Sequence, residues 1–407
     1  MNEKNIFAIK PIKLFNFGNL GHLSPGWIAT DYFLSKSITQ NILYSAYHEA
    51  KSISEIADLL GVKNSIIEEE VYYLEKNGFI DIFCPPNHKS HISNTKSELK
   101  YLTHFLIHDF TAEVFEERNK IFTQFANTIC ETYIPQLLNT LSPFPHPLSN
   151  KLYTPNNDQN FLLWSLISFA CQNKFNIPTI NQNLEKHFVK RNDGSENLPF
   201  ATLKKNFELS YDEDKYFSSR CGMILNERQY GQDYLRVWQY NTYYDNRNTD
   251  WLQAFYYKYV YLYRTKICPE HSFDDKNDRL EKIIRHNFFV AQEMHPLNPL
   301  EKENDFVNMV VTTLTFEELL SLFPPISQEM IELNSQLGEK IYQISKSQYP
   351  PHLKELCHAF CHKAISSDDM IVRILENLVS KGVLKPLNEV QKPTVNMIMF
   401  CDRLPES

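Results

Sequence analysis

The sequence predicts an α+β protein, mostly helical, in which one compact helix-and-hairpin unit stands at each end of a central mixed helical region. Three observations carry this expectation. Apolar residues recur at helical spacing through much of the chain. Ile67, Val71, Leu74 and Gly78 near the start return in the same register near the end as Ile371, Leu375, Leu378 and Gly382. Short runs of β-branched and apolar residues follow each glycine. At 407 residues the chain is too long for one small domain. The expected divisions are residues 1–110, 111–325 and 326–407.

The first unit can be read element by element. "SKSITQNILYSAYHEA" (36–50) places Ile38, Ile42, Leu43 and Tyr47 at helical spacing. Ser52 or Ser54 can cap the next helix, which turns Ile56, Leu59 and Leu60 inward and ends at Gly61. A third helix starts near Asn64, with Ile67, Val71 and Leu74 on one buried stripe. Gly78 stops it. "FIDIF" follows as a strand, and "LKYLTHFLI" (99–107) pairs with it across a polar loop. Three helices and a two-stranded hairpin make a winged helix-turn-helix. The segment "SISEIADLLGVKNSIIEEEVYYLEKNGFID" resembles the winged-helix part of bacterial transcriptional regulators of the MarR and ArsR kind. That resemblance implies DNA binding and transcriptional regulation, with the third helix as the reader.

The third helix carries a contradiction. With the stripe inward, Glu68, Glu69, Tyr72, Tyr73 and Glu75 point wholly or partly outward. A row of carboxylates repels phosphate, although a single one can accept from cytosine N4. Between Lys51 and Asp81 three basic residues (Lys51, Lys63, Lys76) face seven acidic ones (Glu55, Asp58, Glu68, Glu69, Glu70, Glu75, Asp81), a local charge of −4. Two readings stay open. The helix is a solvated or protein-binding face, so that residues 64–77 meet a protein partner. Alternatively it meets DNA at its start through Lys63, Asn64 and Ser65, helped by the free N–H groups there, with Tyr72 on the exposed side.

At the other end, 327–345 and 352–364 are the expected first and second helices, and "DDMIVRILENLVSKG" the third, capped by Ser366 or Ser367. "VLKPL" and "TVNMIMF" are the expected wing strands. Arg373 and Asn377 occupy outward positions here. From Pro351 to Ser407 seven basic residues balance seven acidic ones, so this end is neutral. Arg373, Asn377, Lys381, Lys385 and Lys392 are therefore the DNA-contact candidates of this end. "HLKELCHAFCHK" sets Cys357 and Cys361, and His358 and His362, one helical turn apart. A structural zinc site needs four converging ligands, and cysteine on an amphipathic helix is more often a small core residue. No metal and no cofactor is expected.

The middle opens with a helix over 108–141, which suits a linker to a dimerising or sensing domain. "QNFLLWSLISFACQNK" (159–174) is apolar on all sides and predicts a buried helix. "VKRNDGSEN" reads as a loop. "CGMIL" and "YLRVWQYNTYY" read as strands about the turn "RQYG". The dense aromatics that follow are either packed core or a ligand pocket built from Tyr230, Trp238, Tyr240, Asn241 and Trp251. "LEKIIRHNFFVAQEMHPLNPLEKEND" (280–305) reads as a helix and a connection.

Composition narrows the function. The chain holds 28 Phe and 22 Tyr but 10 Gly, and its formal charge is −8, so nucleic acid contact requires a local basic face. G-x-G-x-x-G, G-x-x-x-x-G-K-[ST], G-x-S-x-G and H-E-x-x-H are all missing, and no enzyme is expected. "MNEKNIFAIKPIKLF" lacks an apolar signal region, no run reaches membrane-span length, and eight scattered Cys fit a reduced, cytoplasmic protein. The expectation is a homo-oligomeric transcriptional regulator. The alternative is a protein-binding winged-helix subunit of a transcription- or chromosome-associated assembly.

Overall fold

Ser52 opens its helix with a reciprocal cap. Its hydroxyl accepts the Glu55 N–H (3.2 Å), and the Glu55 carboxylate accepts the Ser52 N–H (2.6 Å). In the computed structural model this helix belongs to an α+β chain whose described residues are mostly helical. The structure describes residues 11–22, 34, 36–83, 99–141, 151–154, 158–192, 194–203, 309–388, 391 and 395, and the strands at 224–230, 233–239, 289–291, 305–307 and 397–401. The chain divides into two compact units. The first comprises Met1–Ile121, Ile177–Leu209 and Asn334–Ala364; the second comprises Phe122–Asn176, Ser210–Leu333 and Ile365–Ser407. Residues 326–407 thus contribute to both units, as do residues 111–325.

The first unit contains β1 (Leu14–His22), α1 (Ser37–Ser45), β2 (Lys51–Ser52), α2 (Ile53–Leu60), α3 (Asn64–Lys76), β3 (Ile80–Phe83), β4 (Lys100–Thr103) and β5 (Leu106–His108). Ile56 and Leu60 of α2, and Ile67, Val71 and Leu74 of α3, are buried; Leu59 is exposed, not inward. β3 and β4 pair antiparallel from Ile80↔Thr103 to Phe83↔Lys100, and β2 adds to β4, giving the order β2-β4-β3. The hairpin expected after Gly78 is therefore present.

The single strand expected over 99–107 is two strands in two sheets. Thr103 is buried; its N–H donates to the Ala46 carbonyl and its hydroxyl to the Leu43 carbonyl, while the His104 N–H donates to the Phe79 carbonyl. The Thr103 bonds tie the end of β4 to α1, and the His104 bond is the last one back toward β3 before the chain leaves that sheet. β5 then runs parallel to β8 (Glu196–Leu203), in a sheet ordered β1-β8-β5. β7 (Val189–Lys190) also pairs with β8, so "VKRNDGSEN" is a tight antiparallel hairpin and not an open loop. Arg191 N–H to Ser195 carbonyl, 2.8 Å, closes the turn.

Gly78 joins these two sheets. Its φ of +72° favours glycine, and a Cβ there would stand 2.2 Å from Cγ1 of Val189. Gly78→Ala meets both backbone strain and a clash. It should lower stability by on the order of 1–3 kcal/mol or more. A fall in the urea midpoint of the full chain, with an unchanged slope, checks this.

The second unit is built on a sheet ordered β6 (Leu152–Tyr153), β13 (Val310–Thr312), β14 (Met397–Cys401), β10 (Asp233–Gln239) and β9 (Ile224–Tyr230). β13 and β14 are parallel, and the other pairs are antiparallel. β10 falls within the predicted strand "YLRVWQYNTYY" from Tyr234 on, but β9 meets "CGMIL" only at Ile224 and Leu225 and carries Arg228–Tyr230, which the sequence suggests as turn, in the strand. β11 (Phe289–Ala291) pairs with β12 (Asp305–Val307), so Phe289–Ala291 is strand where the sequence suggests helix. Part of α4 (Ala112–Leu141), then α5 (Gln159–Lys174), α7 (Phe316–Ser321) and α10 (Asp368–Ser380) belong to this unit; α6 (Pro178–Glu185), most of α8 (Gln328–Ser345) and α9 (Lys354–Cys361) belong to the first. α5 is buried from Phe161 to Cys171 save for Leu163, as its uniform apolarity suggests.

The hairpin expected after Gly382 is not formed. Residues 383–388 are no strand, and β14 is a central strand between β13 and β10. Side chains take the backbone groups that a wing ladder needs. Asn160 Oδ1 accepts the Lys385 N–H (2.8 Å), while Asn160 Nδ2 and Trp164 Nε1 donate to its carbonyl. Pro386 has no N–H to offer. Met397, Ile398, Met399 and Phe400 are all buried, and a run buried on both faces seeks a sheet interior. The α10 stripe does match that of α3: Ile371, Leu375 and Leu378 are buried, and Ser367 caps the helix.

Candidate functional site

The outward side of α3 is fixed by its inward side. Ile67, Val71 and Leu74 are essentially inaccessible. Burying each stabilises by about 1.5–3 kcal/mol, whereas like charges a turn apart cost a few tenths of a kcal/mol. Burial wins, and the glutamates must go where the stripe leaves them.

The three glutamates then separate. Glu70 turns aside and is only 14% exposed: one carboxylate oxygen accepts from Lys36 Nζ at 2.9 Å, the other from the Thr39 hydroxyl at 3.3 Å. That hydrogen bond, with the charge of Glu70, raises the Lys36 pKa. Glu70 thus ties α3 to α1. Glu68 and Glu69 stay exposed, beside Asn64, Ser65, Ile66, Tyr72 and Tyr73. Burial, then the charges of Glu75 and Glu68, pushes the Tyr101 hydroxyl pKa up.

Exposed apolar side chains gather in this part of the sequence, with Ile66, Tyr72 and Tyr73 on α3 itself. Eight large hydrophobic residues are exposed among the described residues, and six of them are Leu59, Ile66, Tyr72, Tyr73, Ile82 and Phe83. Tyr72 is the most open, at 59%. Ile66, Glu69 and Tyr73 succeed one another at helical spacing, as do Ser65, Glu68 and Tyr72, so aromatic and acidic groups share one side of α3. Ile82 and Phe83 lie on the strand that follows. Sequence reading finds the acidic side of α3 but misses the exposed residues on β3, whose burial depends on what the hairpin packs against.

At the other end, Arg373 and Asn377 are bonded within the second unit. Arg373, 12% exposed at its side chain, donates from Nε to Asp369 at 2.7 Å and from an Nη to the Thr123 hydroxyl at 2.9 Å; its guanidinium lies 6.0 Å from the centre of the Phe122 ring. Asn377 bonds to Asn127. Lys381 stands 3.8 Å from Glu131. Lys385 is exposed, but its backbone is bound by Asn160 and Trp164. Lys392 lies outside the described residues.

Of the proposed ligand pocket, Tyr230 and Trp238 fall on β9 and β10, with Trp238 paired to Leu225 and Ile398. Their side chains, and Tyr240, Asn241 and Trp251, lie outside the described residues. Elsewhere in the first unit His108 Nδ1 lies 2.5 Å from the Tyr349 hydroxyl, among the rings of Phe110, Phe200 and Phe360. Desolvation, then the charge of Arg118, brings its pKa down to about 3, so this imidazole is neutral at pH 7 and serves packing. Cys357 and Cys361 are buried.

Neither a family model nor a curated protein nor a solved structure matches the chain. Among the described residues no helix is long and apolar enough to cross a membrane.

The division of labour among the glutamates is open to measurement. Glu70→Ala should destabilise by about 1 kcal/mol through loss of a partly buried, hydrogen-bonded ion pair. Glu68→Ala and Glu69→Ala should stay within about 0.5 kcal/mol of the parent. Chemical denaturation of the three variants ranks them; equal effects would show that Glu70 has no special role.

Proposed function

We propose that the three helices and hairpin of residues 37–103 form a winged-helix module that docks on protein, as a subunit of a larger assembly, through the outward side of α3 and the strand after it. One observation carries the reading. Exposed Ile66, Tyr72 and Tyr73 alternate with exposed Glu68 and Glu69 where a DNA reader needs cationic or amide groups. Aromatic residues that stay in water mark interface cores, and the carboxylates among them select a partner with basic groups around an apolar centre. A second copy of this chain is a poor occupant, since two copies of one face would set Glu68 and Glu69 against their own kind. The resemblance to winged-helix regulators directs the search to transcription- or chromosome-associated assemblies.

DNA-binding regulation is the second reading. Lys63, Asn64 and Ser65 are exposed at the start of α3, and no side chain caps its first turn. Phosphate could be met there. Arg373 and Asn377 are engaged within the second unit, so at that end the reading falls to Lys381 and Lys385, which keep exposed side chains.

A photo-reactive phenylalanine at position 72, introduced in the native host, separates the readings. Discrete protein adducts that vanish when Glu68 and Glu69 are both changed to Lys are expected. Nucleic acid adducts, or protein adducts indifferent to the charge reversal, would overturn the docking proposal.

A further inference from the structure

Glu339 on α8 and His358 and His362 at the end of α9 turn one ligand atom each toward a common point. The three atoms lie within 4.8 Å of one another. His358 Nε2 stands 3.3 Å from Glu339 Oε2 and 3.3 Å from His362 Nε2. Two ligands bound about 2.1 Å from one tetrahedral ion stand about 3.3–3.4 Å apart. Two of the three separations thus already match, and the third closes by a small turn of the exposed Glu339 side chain. Without an ion, three acceptor-capable atoms share at most two ring protons, and His358 Nε2 must serve both neighbours at once.

The surroundings hold these groups in place. Gly338 lets the His362 ring approach α8: a Cβ there would lie 2.6 Å from Nδ1 and 2.7 Å from Cγ of His362. Asn334 Nδ2 donates to the His362 carbonyl at 3.0 Å, and Gln343 Nε2 donates to the other oxygen of Glu339 at 2.5 Å. Tyr342 meets the His358 ring edge-on, with centroids 4.8 Å apart. Outer partners of this kind orient metal ligands.

We propose that Glu339, His358 and His362 form a site for a divalent cation of the zinc class, with two imidazoles, one carboxylate and a fourth position open to solvent. Two nitrogens and one oxygen suit zinc, and oxygen-seeking magnesium or calcium much less. The ion would clamp α8 to α9. His358 and Glu339 are about half exposed, so their replacement removes ligands and leaves the core intact. Cys357 and Cys361, one helical step away, are buried and take no part.

Calorimetric titration of the full chain with Zn2+ alone tests this, with His358→Gln, Glu339→Gln and the double variant Cys357→Ser, Cys361→Ser as comparisons. One equivalent should bind to the parent and to the double serine variant. His358→Gln should weaken it by more than about tenfold, the loss seen even for outer partners of metal ligands, and Glu339→Gln should weaken it too. Zn2+ should raise the melting temperature of the parent but not of His358→Gln, with circular dichroism confirming that each variant is folded. Equal binding by parent, His358→Gln and Glu339→Gln would overturn the proposal. So would a thiolate-to-metal charge-transfer band in the Co2+ complex, which would assign the ion to cysteine.

Discussion

Burial of Ile67, Val71 and Leu74 sets the rotation of α3, and the rest of the N-terminal unit depends on it. Once these side chains lie inside, Glu70 falls beside Lys36 and Thr39, and Glu68, Glu69 and Tyr72 fall outside. The surface is a consequence of the core. Charge repulsion along α3 is too weak to resist, because several kcal/mol of apolar burial oppose tenths of a kcal/mol of surface electrostatics. An acidic helix in this place is stable as a fold, and under the proposed function its outward side is no DNA reader. Exposed Ile66, Tyr72 and Tyr73 share that side of α3.

The two ends of the chain use one helical pattern for different purposes. Ile371, Leu375 and Leu378 repeat the stripe of α3. Around them the outward residues Arg373 and Asn377 are drawn into bonds with Thr123 and Asn127 of α4. After Gly382 the chain gives its backbone bonds to Asn160 and Trp164 and then enters the middle of a sheet. A shared supersecondary pattern therefore fixes which residues are buried, but not what the exposed ones meet.

What could be read in the sequence follows the range of the interactions. The cap at Ser52, the stripe of α3, the stop at Gly78 and the first hairpin are local, and their signals lie within a few residues of one another. The fate of "VLKP" and "MIMF" is not local. Asn160 and Trp164 stand more than 200 positions from Lys385, and an apolar run looks the same whether it becomes a wing or a central strand. The His358 and His362 spacing was visible, but Glu339 comes from another helix 19 positions earlier, so the third donor of the cluster was not. The change of sheet after Thr103 was hidden for the same reason: the bonds there go to carbonyls of Leu43, Ala46 and Phe79 that only the fold brings near.

Under the proposed function, the acidic and aromatic side of α3 meets protein and leaves DNA unbound. Fluorescence anisotropy of a labelled duplex titrated with the full chain over a series of salt concentrations tests it most directly, because each neutralised phosphate adds close to one unit to the slope of log K against log salt. Absent or salt-insensitive binding is expected. A slope of several units that shrinks in Lys63→Ala would contradict the account.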